Sequence, residues 1–169
     1  ILAIPHMIIA TALSYVAWVV MVVSWFVVLF TGRLPEGLAN FQVMTLRYTA
    51  RAYAYSWFLH DQYPPFEFDM ATDEPGGTPV TYWVHPQLEN RNRLTVAFRF
   101  ILMIPAAFFV LLIAIVAWIC GFLAFWAVLF TGRWPQGLRE WVMKLLRVEI
   151  RLSAYVYLLV DQYPPFNTD

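Results

Sequence analysis

Two pairs of arginines are the residues whose type and spacing best suit a binding role. Arg47 and Arg51 are four residues apart, and so are Arg147 and Arg151. On a helix this spacing puts like charges side by side, which is mildly destabilising unless an anion lies between them. Planar guanidinium groups suit a lipid phosphate, a carboxylate or an acidic group of a partner subunit. We therefore predict that the four arginines bind lipid or a partner, while pairing with nearby acids of the chain or snorkelling explains them equally well.

Metal and cofactor chemistry finds little support in the sequence. The three histidines are far apart and form no ligand cluster: His6, His60 and His85. Cys120 is the only cysteine and lies in an apolar run, where a small buried packing residue is expected. We therefore expect no metal site and no cofactor.

Two acids are the remaining candidates for catalysis. Asp61 and Asp161 follow the arginine-bearing segments, where an acid usually binds backbone or arginine at a helix end. The chain contains no nucleophile elbow, phosphate-binding glycine loop or zinc-protease motif. We therefore predict that the protein is not an enzyme, and an enzyme acting on a lipid ranks third among the functions considered.

The composition indicates a membrane protein. Of 169 residues, 61% are hydrophobic and only 13% charged, which is far from the soluble average. The 11 basic residues balance the 11 acidic ones, so no positive field would attract nucleic acid. One cysteine cannot form an internal disulfide, which excludes a disulfide scaffold.

Two long segments without charge could each cross a bilayer. Residues 1–32 and 100–132 contain no Asp, Glu, Lys or Arg, and a crossing needs about 20 residues. We expect each helix to begin near Pro5 or Pro105 and to end at Gly32 or Gly132, where glycine can adopt the left-handed conformation that stops a helix. Because the chain starts at Ile1 without an initiator methionine, we expect it to be part of a longer protein.

The chain consists of two copies of one unit, offset by one hundred residues. Eight of ten residues match between 29–38 and 129–138, and 61–66 is identical to 161–166. We therefore divide the chain into a first repeat at 1–66, a polar linker at 67–93 and a second repeat at 94–169. In the linker, 74–79 predicts a turn outside the membrane, and 80–84 could form one short β-strand.

The second helix of each unit, predicted at 38–59 and 138–159, is long enough to cross but carries the arginines on one face. Such a helix either lies at the interface or packs in a bundle with its polar stripe inward. If the first helix crosses alone, the copies are inverted; if both helices cross, or the first is a re-entrant hairpin, they are parallel. Because identical motifs favour identical environments, we expect parallel copies.

The order of these motifs resembles a known family. An Ile-Pro entry, a long apolar helix, the Phe-Thr-Gly-Arg-x-Pro-x-Gly-Leu corner, an arginine-bearing helix and an Asp-x-Tyr-Pro-Pro-Phe ending are similar to a bacterial membrane-protein family known as domain of unknown function 4389. The resemblance covers nearly the whole chain as two copies, although Ala106 replaces His6 in the second. It implies a protein of the bacterial plasma membrane and carries no activity or site.

Residues at the corners and endings are expected to anchor the chain at the membrane interface. Arginines at helix ends reach headgroups, and aromatic rings favour the headgroup layer. The predicted anchors are Arg33, Arg133, Tyr63, Phe66, Tyr163 and Phe166. The fold class expected from the sequence is therefore an all-α integral, multi-pass membrane protein built from a tandem repeat of a transmembrane helix and an amphipathic helix.

Two functions fit this description. The first is a non-catalytic accessory or scaffold subunit of a larger bacterial plasma-membrane complex, because the unit is small, duplicated and aromatic and lacks a pore-lining polar series. The alternative is a protein that binds anionic lipid headgroups and assists the transport of lipids or envelope precursors. The expected partners are membrane lipids and other integral membrane subunits, and no nucleic acid.

Overall fold

The computed structural model describes residues 2–70 and 77–168, and this part of the chain contains five helices. They are α1 (Ile4–Thr31), α2 (Glu36–Ser56), α3 (Arg93–Ala97), α4 (Arg99–Thr131) and α5 (Gln136–Val156). The helical fold is therefore confirmed. By length and composition, α1 and α4 could each cross a membrane.

The corner between the two helices of each unit forms as the sequence predicts. Gly32 and Gly132 end α1 and α4 with φ values of 72° and 65°. Their N–H groups donate to the carbonyls of Val28 and Val128 at 2.8 Å, which satisfies acceptors that the helix end leaves open. The proline three residues later precedes the next helix in an extended conformation.

The far ends of α2 and α5 are earlier than predicted. Phe58 and Leu158 have φ values of 57° and 64°, a left-handed conformation that ends a helix without glycine. The N–H groups of Leu59 and Leu159 then bond back to carbonyls in the last turn at 3.0 Å. Both helices therefore stop three residues before the predicted leucines.

The start of α4 at Arg99 corrects the prediction that it begins near Pro105. Helical structure starts upstream because the Asn92 side chain accepts bonds from the N–H groups of Leu94 and Thr95, at 3.1 and 3.3 Å, and caps α3. Pro105 consequently lies inside α4. The corresponding prediction for α1 is confirmed, since Pro5 lies in its first turn.

The predicted strand at 80–84 is wrong, since no strand forms in the described residues. The segment is extended and its burial alternates: Tyr82, Val84 and Leu88 pack on the core, while Trp83 is 61% exposed. It has the period of a strand but lies on helices, whose backbone groups are already bonded and cannot form a ladder. Of the predicted turn at 74–79, residues 74–76 lie outside the described part.

The two copies run in opposite directions, so the expectation of parallel copies is wrong. The first turns of α4 lie beside the last turns of α1, where the Phe100 and Trp25 rings are 5.7 Å apart. Farther along α4, Trp118 reaches the end of α2, with its ring 4.8 Å from that of Trp57. The end of α2 in turn lies beside the start of α1, because Met7 and Trp57 line the same cavity. Helix α4 therefore runs antiparallel to α1.

Helices α2 and α5 form the centre of the fold. Leu46 and Ala154 share one buried cluster, and Ala54 and Leu146 share another. Leu46 and Leu146 are equivalent positions of the two copies, and so are Ala54 and Ala154. Each cluster therefore pairs the same two positions with the copies exchanged, as a pseudo-twofold axis between antiparallel repeats requires. Helix α1 packs beside α2, helix α4 packs beside α5, and the extended segment 77–91 covers the central pair from the other side.

Candidate functional site

The arginine pair of the first copy is buried. Arg47 and Arg51 are each 3% exposed, because α2 is enclosed by α1, α5 and the extended segment. The Arg51 Nη1 atom lies 2.6 Å from the Glu67 Oε2 atom. Arg51 therefore has a carboxylate partner within the chain, Glu67, as the internal-pairing explanation allows.

The arginine pair of the second copy is more open. Arg147 is exposed on α5, while Arg151 is half-buried and donates to the Asn167 side chain at 3.1 Å. The four arginines do not form one open site, because Arg47 and Arg51 are buried while Arg147 is exposed. Of the four, Arg147 is the exposed one.

Arg147 lines a cavity of about 340 Å³ between α2, α5 and the extended segment. Arg139 and His60 also line it, together with the apolar Leu59 and Val80. Both His60 ring nitrogens are buried and have no hydrogen-bond partner among the residues described. The Arg139 guanidinium donates to the Leu59 carbonyl at 3.2 Å, which holds it at the cavity wall.

On the same face of α5 the cavity is continuous with an open groove that carries more positive than negative charge. Arg139 and Arg147 line both cavities, and Lys144 and Glu140 extend the second. Three basic groups thus face one acid, a net charge of about +2. Sequence reasoning missed Arg139 and His60 because neither belongs to a duplicated pair, and only the approach of α2 to α5 brings them together.

A second cavity, of about 480 Å³ and with aromatic side chains forming half of its lining, lies between the two copies. Trp57, Trp118 and Glu149 line it, and burial raises the pKa of the Glu149 carboxyl. Trp57 packs directly on Gly121, where an added Cβ would lie 2.9 Å from the Trp57 Cε3 atom. The residue that corresponds to Gly121 in the first copy is Met21, which is 2% exposed.

Asp161 has a structural role at the end of the second copy. Its Oδ1 atom lies 2.9 Å from Arg91 Nη2 and 2.6 Å from Arg99 Nη2, and both arginine side chains are almost fully buried. The Arg99 guanidinium also lies 4.3 Å above the Tyr155 ring. Desolvation lowers the pKa of Arg91 to about 10, against the opposing effect of Asp161. The expected pairing of this aspartate with arginine at a helix end is confirmed.

Arg91 and Arg99 were not singled out from the sequence. They flank the boundary between linker and second repeat, and their common partner is more than sixty residues away. Asp61, the counterpart of Asp161, is exposed. Among residues 2–70 and 77–168, no three metal-binding side chains are grouped.

The predicted anchors lie at the corners and beside the starts of α1 and α4. Arg33 and Arg133 are exposed. The Tyr63 and Phe66 rings pack on His6, with centroids 4.8 and 4.2 Å away. In the second copy the Phe166 ring lies 5.5 Å from that of Phe109, and Tyr163 contacts Phe166 at 5.7 Å. Phe66 and Phe166 remain more than half exposed.

These features define an all-helical protein made of two inverted helical pairs, with two helices long and apolar enough to cross a membrane. The chain belongs to the family described as Domain of unknown function (DUF4389), whose model matches residues 1–67 and 93–168, one segment for each copy. Neither a curated protein nor a solved structure matches the chain.

Proposed function

We propose that this chain is a non-catalytic protein of the bacterial plasma membrane that binds anionic lipid headgroups. The observation that carries the proposal is the cavity lined by His60, Arg139 and Arg147, which joins cationic and apolar walls. A lipid phosphate would accept hydrogen bonds from the two guanidinium groups, and Leu59 and Val80 would contact the adjoining apolar part of the molecule. Such a site suits a protein that assists the transport of lipids or envelope precursors.

The site is a revision of the one expected from the arginine pairs. Arg51 already has Glu67, and Arg151 has Asn167, so these two are less suited to an external anion. Arg139 and Arg147 are both exposed beside a cavity, and a single acid, Glu140, lines the groove with them.

Lipid retention by the purified chain tests this proposal. Replacing Arg139→Gln and Arg147→Gln together should weaken binding of phosphatidylglycerol at least about tenfold, because each charge-assisted hydrogen bond contributes roughly 1.5–3 kcal/mol. Retained lipid is measured by mass spectrometry after purification in mild detergent. The matched control is Arg33→Gln with Arg133→Gln, which removes two exposed charges at the corners.

A His60→Val variant separates the cavity from general charge attraction, because valine is the residue that the second copy has at position 160. It should weaken phosphatidylglycerol binding although it leaves both arginines of the cavity in place. Equal losses in the corner control and the cavity variant would show that charge alone, and not this cavity, holds the lipid.

A second candidate function is that of an accessory or scaffold subunit in a larger membrane complex. The first corner is covered, since the Leu34 N–H donates to the Leu88 carbonyl at 2.8 Å and the Arg93 side chain lies over Gly32. At the second corner no described atom lies within 4 Å of an added Cβ on Gly132, and the buried Trp134 Nε1 has no partner among the described residues. At Gly132 the second corner therefore leaves open a surface that the Arg93 side chain covers in the first copy.

Site-specific photocrosslinking at the two corners tests this function. A crosslinker at Leu34 should join only residues of the same chain, near Leu88, whereas one at Arg133, which is exposed beside Gly132, should join another protein at fixed stoichiometry. The chain should also migrate with that protein in mild detergent. A crosslinker at Arg133 that reacts only with lipid, in a chain that migrates alone, would contradict the scaffold function.

A further inference from the structure

The outer faces of α1 and α4 are apolar along their whole length. Val19, Val23 and Phe26 are exposed on α1, and Ile104, Ile115 and Leu129 are exposed along one stripe of α4. Apart from Arg99 at the start of α4, neither helix carries a charged residue. An apolar surface of this extent requires a cover of low polarity.

The inner faces of α1 and α4, which pack on α2 and α5, are narrow and lined by small side chains. Ala10 and Ala17 on α1, and Ala117 and Ala124 on α4, are almost fully buried. Small side chains allow close approach, which brings α2 and α5 directly beside α1 and α4. The polar central pair is therefore held against the apolar helices along their length.

The opposite side of the fold is polar. Glu140 and Arg147 on α5 are exposed, and so are His85 and Glu89 of the extended segment. One side of the protein is thus apolar, and the exposed charges lie on the other side, where Trp83 is also exposed.

An upright orientation of α1 and α4 conflicts with this layering. At 1.5 Å per residue, their 28 and 33 residues measure about 42 and 50 Å, against a hydrocarbon core of about 30 Å. Helix α5, with 21 residues, runs beside α4 and would be immersed over nearly its full length. Lys144 and Arg147 lie near its middle, where a charge in hydrocarbon is most costly.

We infer that the protein lies on one leaflet of a membrane, with α1 and α4 parallel to the membrane plane and their outer faces in the acyl chains. In this orientation α2 and α5 lie about 8–10 Å above the embedded helices, at the level of the lipid headgroups. The covering partner is the lipid surface itself. The chain then crosses the bilayer nowhere within the described residues, in contrast to the multi-pass arrangement expected from the sequence.

The corners support this orientation. Since the copies are inverted, Arg33 and Arg133 lie at opposite ends of the molecule. In an upright molecule they would face different compartments. In the plane of the membrane both reach headgroups of the same leaflet, so identical corners occupy identical environments.

Side-specific labelling of the corners tests the orientation. Single cysteines replace Glu36 and Gln136, both exposed, in a chain with Cys120→Ala, and the full chain is reconstituted in liposomes of phosphatidylglycerol and phosphatidylcholine. A membrane-impermeant maleimide should label both positions from the same side. If the reagent reached one position only from outside the liposomes and the other only from inside, the in-plane orientation would be overturned and crossing helices would be indicated.

Depth measurements along α4 provide a second test. Spin labels on cysteines at Ile104, Ile115 and Leu129 occupy one stripe of the helix, and the outer two are about 37 Å apart. Accessibility to lipid-soluble oxygen and to a water-soluble nickel complex should give the same depth at all three. A deep central label with two shallow outer labels would overturn the proposal, as would three labels that oxygen cannot reach because a protein covers them.

The result also separates this inference from the function proposed above. Loss of phosphatidylglycerol binding in the Arg139→Gln and Arg147→Gln variant with three equal depths would leave the orientation intact. A chain that does not associate with the liposomes would overturn the membrane location and the orientation together.

Discussion

Replacing Asp161 with asparagine should destabilise the protein strongly. The variant removes the negative charge between Arg91 and Arg99, whose side chains are 0% and 3% exposed, and leaves both cations buried. Breaking a buried ion pair by removing one partner costs about 3–5 kcal/mol. Because Asp161 itself is 16% exposed and asparagine can still accept a hydrogen bond, we expect the lower limit, about 3 kcal/mol.

Thermal unfolding followed by circular dichroism in mild detergent measures this effect. For a chain of this size, each kcal/mol shifts Tm by roughly 2–4 °C, so the Asp161→Asn variant should unfold about 6–12 °C below the parent. The matched control is Asp61→Asn, the same change at the exposed counterpart. It should cost no more than about 0.5 kcal/mol.

Two results would refute the reasoning. Equal shifts in both variants would mean that the aspartate acts through its local sequence and not through the buried arginines. An unchanged Tm in both would mean that Asp161 contributes no net stability to the arginine pair.

Three further substitutions test other parts of the fold. Gly121→Ala should displace the Trp57 ring and cost about 1–3 kcal/mol, seen as a lower Tm and altered tryptophan fluorescence; an unchanged spectrum would contradict the contact. Glu149→Gln should raise Tm at neutral pH, because burial raises the pKa of the Glu149 carboxyl and its ionised form therefore destabilises the fold. The difference in Tm between variant and parent should disappear below pH 4.5, where the carboxyl is protonated. A difference in Tm that is constant across pH would contradict this. Gly132→Ala, at φ 65°, should lower Tm by the equivalent of about 1 kcal/mol, while Gly137→Ala, in a helix with open space, should not; equal effects would contradict the left-handed stop.

Features encoded within a few residues could be predicted from the sequence. The stops at Gly32 and Gly132 followed from glycine and a nearby proline, and the structure has them at those residues. The duplication followed from identical residues at a fixed offset. These signals are local, and the tertiary packing leaves them unchanged.

Features that depend on distant contacts could not be predicted. The direction of the second copy is decided by contacts such as Trp57 with Trp118, which no local pattern reports. The ion pairs of Asp161 cross more than sixty residues. The strand at 80–84 failed for another reason, since alternation reveals which side chains are buried but not whether a neighbouring backbone is free to pair.

Among the candidate binding residues, Arg147 was found from its spacing, whereas Arg139 and His60 were not. Their roles depend on the end of α2 lying against α5. From the sequence, Arg47 and Arg147 were equally good candidates for a binding residue, because they occupy equivalent positions in the two copies. The structure separates them because the extended segment and the surrounding helices bury one and leave the other exposed.

The extended segment between the copies also determines the order in which the protein can be completed during synthesis. Leu88 closes the first corner, and its neighbour Gln87 donates to the Leu159 carbonyl at 2.8 Å. The first bond can form once residue 88 has left the ribosome, but the second has to wait until residue 159 has left it as well. Until then the central face of α2 lacks α5, and its buried arginines are without part of their enclosure. The nascent first copy is thus an incomplete folding unit. If a ribosome stalled in α5, the central face of α2 would stay uncovered and could contact other chains.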